Sequence, residues 1–183
     1  QGFNGSVGIG LYFIGNHQVS RVFPIDGHMY RGADSVARMP FEKAQAEGLI
    51  AYISKETVDA FIQAVSKETL CEAGMKKDIT IVYTPLNGAG GYCVRRALEE
   101  NGFQNVFVVK EQEMPDGCFP TCPYPNPEIE QAMELGIRDA KHLNCDLLLA
   151  TDPDCDRVGV GVKSGCEYLL LSANEIGMLL LEY

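Results

Sequence analysis

The stretch Leu147–Val162, LLLATDPDCDRVGVGV, decides how this chain is read. A run of aliphatic residues the length of a buried strand ends in Asp152, Asp154 and Asp156, each one residue from the next. Arg157 follows at once, and VGVGV resumes a strand pattern. Carboxylates this close repel by about 4 kcal/mol per pair at about 4 Å and an effective dielectric near 20, so a positive charge is expected among them. In an extended loop alternate residues share a side, so the three carboxylates are expected to converge into an oxygen cradle, stiffened by Pro153.

Hard oxygen donors select Mg²⁺, Mn²⁺ or Ca²⁺ over softer metals, and Mg²⁺ keeps coordination positions for water or a phosphate. Arg157, always charged, is placed to hold such a phosphate bidentately. The competing reading is a solvated acidic turn, which the preceding aliphatic strand argues against. An EF-hand is excluded because its sixth and twelfth positions fall on Arg157 and Lys163 instead of Gly and Glu. A haloacid-dehalogenase-type phosphatase, with an aspartate nucleophile after a hydrophobic strand, is the runner-up, although its usual Thr or Val after that aspartate is missing.

Working outward, strands and helices alternate. KDITIVYTPL predicts a strand, NGAGG a turn, and GYCVRRALEENGF a helix with Val94 and Leu98 on its apolar side and a stop at Gly102. NVFVVK predicts a second strand. After the proline-rich EQEMPDGCFPTCPYPN, a helix is expected from near Pro127 with Glu128 in its first turn. DLLLAT and VGVGVK are the third and fourth strands and EYLLLS a possible fifth. The final helix has a capping box of Ser172 and Glu175. This order implies an α/β fold: a three-layer α/β/α domain on a mixed, largely parallel sheet of four to five strands, closed by an antiparallel hairpin. Ligands gather at the carboxyl ends of such strands, where the aspartates lie.

Upstream, Ser54 precedes Val58, Phe61, Ile62 and Val65 at helical spacing, predicting a capped helix. Residues 39–70 are therefore read as a linker and entry helix, and 71–183 as the α/β/α domain. Residues 1–38, Gly-rich with possible strands in VGIGLYFIG and QVSRVF, remain unassigned.

Bulk properties fit one domain. The 183 residues carry a net charge of −10, which argues against a nucleic-acid surface. No apolar run reaches the roughly 18 residues of a membrane span, so a cytoplasmic protein is expected. Seven cysteines, an odd number, suit reduced thiols. Cys118 and Cys122 make at most half a zinc site. Gly88, Gly90 and Gly91 suit a tight strand-to-helix turn better than a phosphate cradle, while Arg95 and Arg96 are expected to be surface charges. His142 is expected at a helix end.

With those residues in hand, DPDCDR after its aliphatic strand resembles the metal-binding DPDxDR loop of the α-D-phosphohexomutase superfamily, the phosphoglucomutases and phosphomannomutases. TPLNGAGGYCVRRALEENGF resembles the family's TPLHGVGG strand-turn-helix, and FPTCPYPNPE its FPTxxxPNPE connection. Residues 39–65 are similar to the linker into the second domain of bacterial phosphoglucomutases, nearest the phosphopentomutase-like branch. Asn87 stands where His is frequent, and Cys155 where Gly, Ala or Ser is commoner.

The resemblance implies the second of four domains of an enzyme moving a phosphoryl group between the C1 and C6 hydroxyls of a hexose phosphate. That reaction passes through a phosphoserine and a bisphosphate intermediate. It implies Asp152, Asp154 and Asp156 as ligands of one Mg²⁺, with Arg157 on the phosphate and Asp156 also approaching the sugar. No phosphoserine, sugar-binding or phosphate-binding loop of the family occurs here. The catalytic serine is thus expected on the remaining domains of the same polypeptide, and this chain alone is expected to be inactive. A stand-alone metal- or phosphate-binding module is the other reading.

Overall fold

The computed structural model describes residues 39–70 and 77–182. The strands suggested within 1–38 lie outside the described residues.

Five strands form one sheet in the order β2-β1-β3-β4-β5: β1 (Thr80–Thr84), β2 (Asn105–Val108), β3 (Leu147–Thr151), β4 (Val158–Ser164) and β5 (Glu167–Leu171). β2, β1 and β3 run parallel, while β3, β4 and β5 form an antiparallel meander. The sheet is mixed, and the aspartate loop is the hairpin connection between β3 and β4. Helices α1 (Phe41–Ala46), α2 (Lys55–Lys67), α3 (Gly91–Glu100), α4 (Lys110–Glu113), α5 (Glu130–Leu143) and α6 (Ala173–Glu182) complete the described residues.

Parallel pairing requires a crossover, and each comes from a helix read in the sequence: α3 carries the chain from β1 to β2, and α5 carries it to β3. One sheet face, with Val82, Leu148 and Ala150, meets Met133 and Ala140 of α5 in the main core cluster. Tyr168 of β5 shares this face. Its hydroxyl lies 2.6 Å from the Cys145 carbonyl and 2.9 Å from that of Ala140, pinning the meander to the end of α5.

Local signals hold at the helix ends. Ser54 accepts from the Thr57 N–H at 3.3 Å to cap α2. At α6 the Ser172 N–H donates to Glu175 at 2.7 Å and the Glu175 N–H to Ser172 at 3.3 Å, the reciprocal box. The start of α5 differs from expectation, because Asn126 makes its own turn. Its side chain accepts from the Glu128 N–H and its carbonyl from the Ile129 N–H, both at 3.0 Å, which holds Pro127 and Glu128 out of the helix.

Arg95 lies at the surface as expected, while Arg96 is only partly exposed. Arg96 of α3 pairs with Asp59 of α2 at 2.7 Å and with Glu100, so it locks two helices together; Arg95 pairs with Glu113 at 2.8 Å. Asn101 strengthens the α2 contact by donating to Ser66 and accepting from Thr69.

Gly159 shows how tightly the proline-rich connection lies on β4. A methyl group there would fall 2.6 Å from the Pro127 carbonyl oxygen. Replacing Gly in a strand by Ala ordinarily stabilises by about 0.5–1 kcal/mol, whereas overpacking costs about 1–3 kcal/mol. Backbone has little room to yield, so overpacking wins. Gly159→Ala is expected to lower the urea midpoint, and an unchanged or raised midpoint would refute this packing account.

Candidate metal centre

The aspartates converge through a turn, not through extended alternation. Pro153 and Asp154 occupy its centre, closed by the Cys155 N–H donating to the Asp152 carbonyl at 3.0 Å. Cys155 leaves the turn with φ +63°, in the left-handed region, which glycine adopts without the strain that a Cβ-bearing residue pays there.

Asp152 is 1% exposed at the end of β3, and it folds the loop around itself. One carboxylate oxygen accepts from the N–H groups of Asp156 and Arg157, both at 3.0 Å, and the other from Arg157 Nε at 3.0 Å. Burial alone would push this carboxyl up, yet the Arg157 N–H and guanidinium outweigh it and hold the group below its ordinary value. Arg157 is the positive charge that the crowded carboxylates require, with Asp156 3.8 Å from its Nε.

Asp154 has no such support. Burial and the neighbouring charges of Asp152 and Asp156 push its carboxyl up. One oxygen from each of the three aspartates lies within 4.8 Å of the others, and among the described residues this is the single group of acidic, histidine or cysteine side chains so arranged. Asp152 is buried while Asp154 and Asp156 face solvent.

The donor set fits a hard divalent cation: all ligands are anionic oxygens, and two of the three stand open to water. The Asp152 oxygen facing Arg157 Nε still has a free lone pair, since a carboxylate oxygen accepts twice. Asp152 makes a poor phosphatase nucleophile, because it is buried and each of its oxygens already accepts at least one hydrogen bond.

One of the other marked sequence stretches meets this loop. The turn after β1 packs against Pro153: the Ala89 N–H donates to the Pro153 carbonyl at 2.8 Å, and a methyl on Gly88 would fall 2.5 Å from Pro153 Cα. A methyl on Gly90 would lie within 2.8 Å of Tyr83 Oη, Cys155 Sγ and Thr151 Oγ1. The turn's left-handed residues are Leu86 (φ +49°) and Asn87 (φ +57°), so Gly88 and Gly90 serve close approach instead of turning. The sequence spacing of these glycines suits a tight turn, whereas their close approach to Pro153, Thr151 and Cys155 involves residues more than sixty positions away along the chain.

Beneath the loop, the Tyr83 and Thr151 hydroxyls lie 2.8 Å apart, joining β1 to β3. Burial pushes the Cys155 thiol up, keeping it protonated at neutral pH. Of the other marked residues, Cys122 is buried with Sγ 3.2 Å from the Tyr124 carbonyl, Cys118 is exposed, and His142 lies in the last turn of α5. All cysteines among the described residues are free.

An α/β/α domain with an acidic loop at the end of its central strand is the class that geometry defines. Residues 59–165 match the family model for phosphoglucomutase/phosphomannomutase, alpha/beta/alpha domain II. The chain is 36% identical over 152 residues to a phosphoribomutase of Saccharomyces cerevisiae, covering 77% of this chain and 24% of that protein. It is 32% identical over 149 residues to a phosphoglucomutase of Staphylococcus saprophyticus, covering 81% and 27%. A phosphoglucomutase/phosphomannomutase family protein from Burkholderia thailandensis shares the fold at TM-score 0.57 and 19% identity, over 77% of this chain and 30% of that one.

The chain belongs to the phosphoglucomutase/phosphomannomutase family and carries its second, α/β/α domain. It spans about a quarter to a third of the length of the curated relatives it matches.

The opposed carboxyl shifts give a prediction of sign. Asp152, lowered in the folded state, contributes stability that is whole above the ordinary carboxylate value of about 3.9 and is lost as pH falls through its folded value. Asp154, raised, does the reverse, because its ionised form opposes folding of the metal-free chain. Asp154→Asn is therefore expected to raise the melting temperature in chelator at pH 7, and Asp152→Asn to lower it. A drop with Asp154→Asn would overturn this electrostatic account.

Proposed function

We propose that this chain is the cation-holding part of a phosphosugar mutase, in which Asp152, Asp154 and Asp156 ligate one Mg²⁺. The convergence of their oxygens within 4.8 Å at the carboxyl end of β3 carries the reading. Oxygen-only donors with open positions favour Mg²⁺, which retains water or phosphate among its ligands. When bound, such an ion supplies Lewis-acid withdrawal of charge from a transferring phosphoryl group.

The residues of the chain do the rest by placement. Asp152 anchors the loop and orients Arg157, whose side chain is half exposed and keeps its terminal nitrogens for a phosphate. Asp156 faces solvent beside Arg157, placed for the sugar or its phosphate. None of these groups is a nucleophile for phosphoryl transfer, in keeping with a phosphoserine on another domain.

On this reading the reaction is reversible phosphoryl transfer between C1 and C6 of a hexose phosphate through a bisphosphate, performed by the whole polypeptide in the cytoplasm. Relatives are named for both glucose and ribose phosphates, in keeping with a choice of sugar made by other domains. Residues 71–183 form the metal-binding domain and 39–70 the linker and entry helix. The remaining domains of the same polypeptide are the partners, a view supported by Met178, Leu180 and Leu181 of α6, which are exposed on this chain. No helix among the described residues is long and apolar enough to cross a membrane.

Calorimetry tests the assignment. Mg²⁺ is expected to bind the chain weakly, with the heat lost in Asp154→Asn. No binding, or binding indifferent to that change, would overturn it, and phosphate release from a simple ester by this chain alone would favour the phosphatase reading.

A further inference from the structure

We infer that the turn Leu86–Gly90 positions the cation site, with Asn87 and Gly88 as positioning residues acting through Pro153; this rests on the metal reading above.

Asn87 has little freedom. It is 3% exposed and held in the left-handed region at φ +57°. Its side-chain amide donates to the Met114 carbonyl at 2.9 Å and that of Glu111 at 3.3 Å, and its side-chain oxygen accepts from Thr121 at 3.3 Å. Its backbone N–H donates to the Gln112 carbonyl at 3.0 Å, and its carbonyl accepts from the Asp116 N–H at 2.9 Å. Gln112, itself 1% exposed, closes the set by accepting from Thr84 at 2.7 Å and donating to Thr121 at 3.2 Å. Every polar group of Asn87 is thus used to bolt the turn to the segment 111–121. None reaches the aspartates directly.

The next two residues carry that rigidity to the metal loop. Gly88 lies so close to Pro153 that a single added carbon would be 2.5 Å from its Cα and 2.7 Å from its carbonyl oxygen. The Ala89 N–H donates to that same oxygen. Pro153 joins Asp152 to Asp154, so its position sets the separation between the buried ligand and the open one. Both sides of the contact are backbone, which cannot swing aside as a side chain does. A displacement of the turn must therefore move Pro153, and with it the carboxylate spacing. A cation site is sensitive to this, because Mg²⁺ demands near-ideal octahedral geometry with ligand distances near 2.1 Å.

Gly91 offers an internal control. A methyl there, on the first residue of α3, meets nothing closer than 3.4 Å and is aimed at Glu113 and Pro85 instead of the metal loop.

The test is Mn²⁺ titration of the full 183-residue chain, read by the electron paramagnetic resonance signal of free Mn²⁺, alongside melting temperature. Wild type and Gly91→Ala are expected to bind alike. Gly88→Ala is expected to weaken binding about ten-fold or more at a temperature where circular dichroism shows it folded. Asn87→Ala is expected to weaken it in the same direction, and decides the matter should Gly88→Ala not fold. Variants that melt lower yet bind Mn²⁺ as wild type does would show a merely structural turn and overturn the inference alone. A silent wild-type chain would overturn the metal reading as well.

Discussion

A buried carboxylate that must find its donors within its own loop is the constraint on which the site depends. Asp152 ends the central strand out of contact with water, where an ion without partners would cost several kcal/mol. Two backbone N–H groups and the Arg157 guanidinium answer it, and all three come from the residues four and five positions ahead. The chain must therefore curl around Asp152. That curl brings Asp154 and Asp156 to the same side and spends the positive charge of Arg157 on the buried member, leaving Asp154 electrostatically unsupported. A loop of this kind is a stable frame with one deliberately poor position, which is what a cation site requires before the cation arrives.

The sheet topology makes that frame rigid. β3 is central, flanked by parallel β1 and antiparallel β4, so the acidic loop springs from the best-supported strand and returns along its neighbour. The turn after β1 reaches the loop from one side through Gly88 and Gly90, and the Pro127 segment lies on β4 from another. Three stretches far apart in sequence thus meet at one end of the sheet. Gly88 and Gly159 mark points where backbone meets backbone, and Gly90 a point where backbone meets packed side chains.

Much of this was legible beforehand. Helical spacing and capping residues identified α2, α3 and α6, and aliphatic runs identified all five strands, because these signals are local and the structure honours them. The charge density of DPDCDR marked the acidic cluster that the structure brings together. Less legible were the readings that involve a distant partner. Arg96 looked like a solvated charge until α2 supplied Asp59. Phe61, Ile62 and Val65 share one helical spacing, yet Ile62 alone of the three is buried. The start of α5 moved because Asn126 competes locally with the helix.

By itself the sequence determined the elements, the acidic loop and the hard-cation character of its donors, since periodicity, capping and charge belong to neighbouring residues. Only the tertiary structure decided that the aspartates converge around a buried Asp152, that Arg157 serves it first, and that Gly88 makes room for Pro153. Those facts depend on which backbone segments press together, and such contacts leave no trace in either segment read alone.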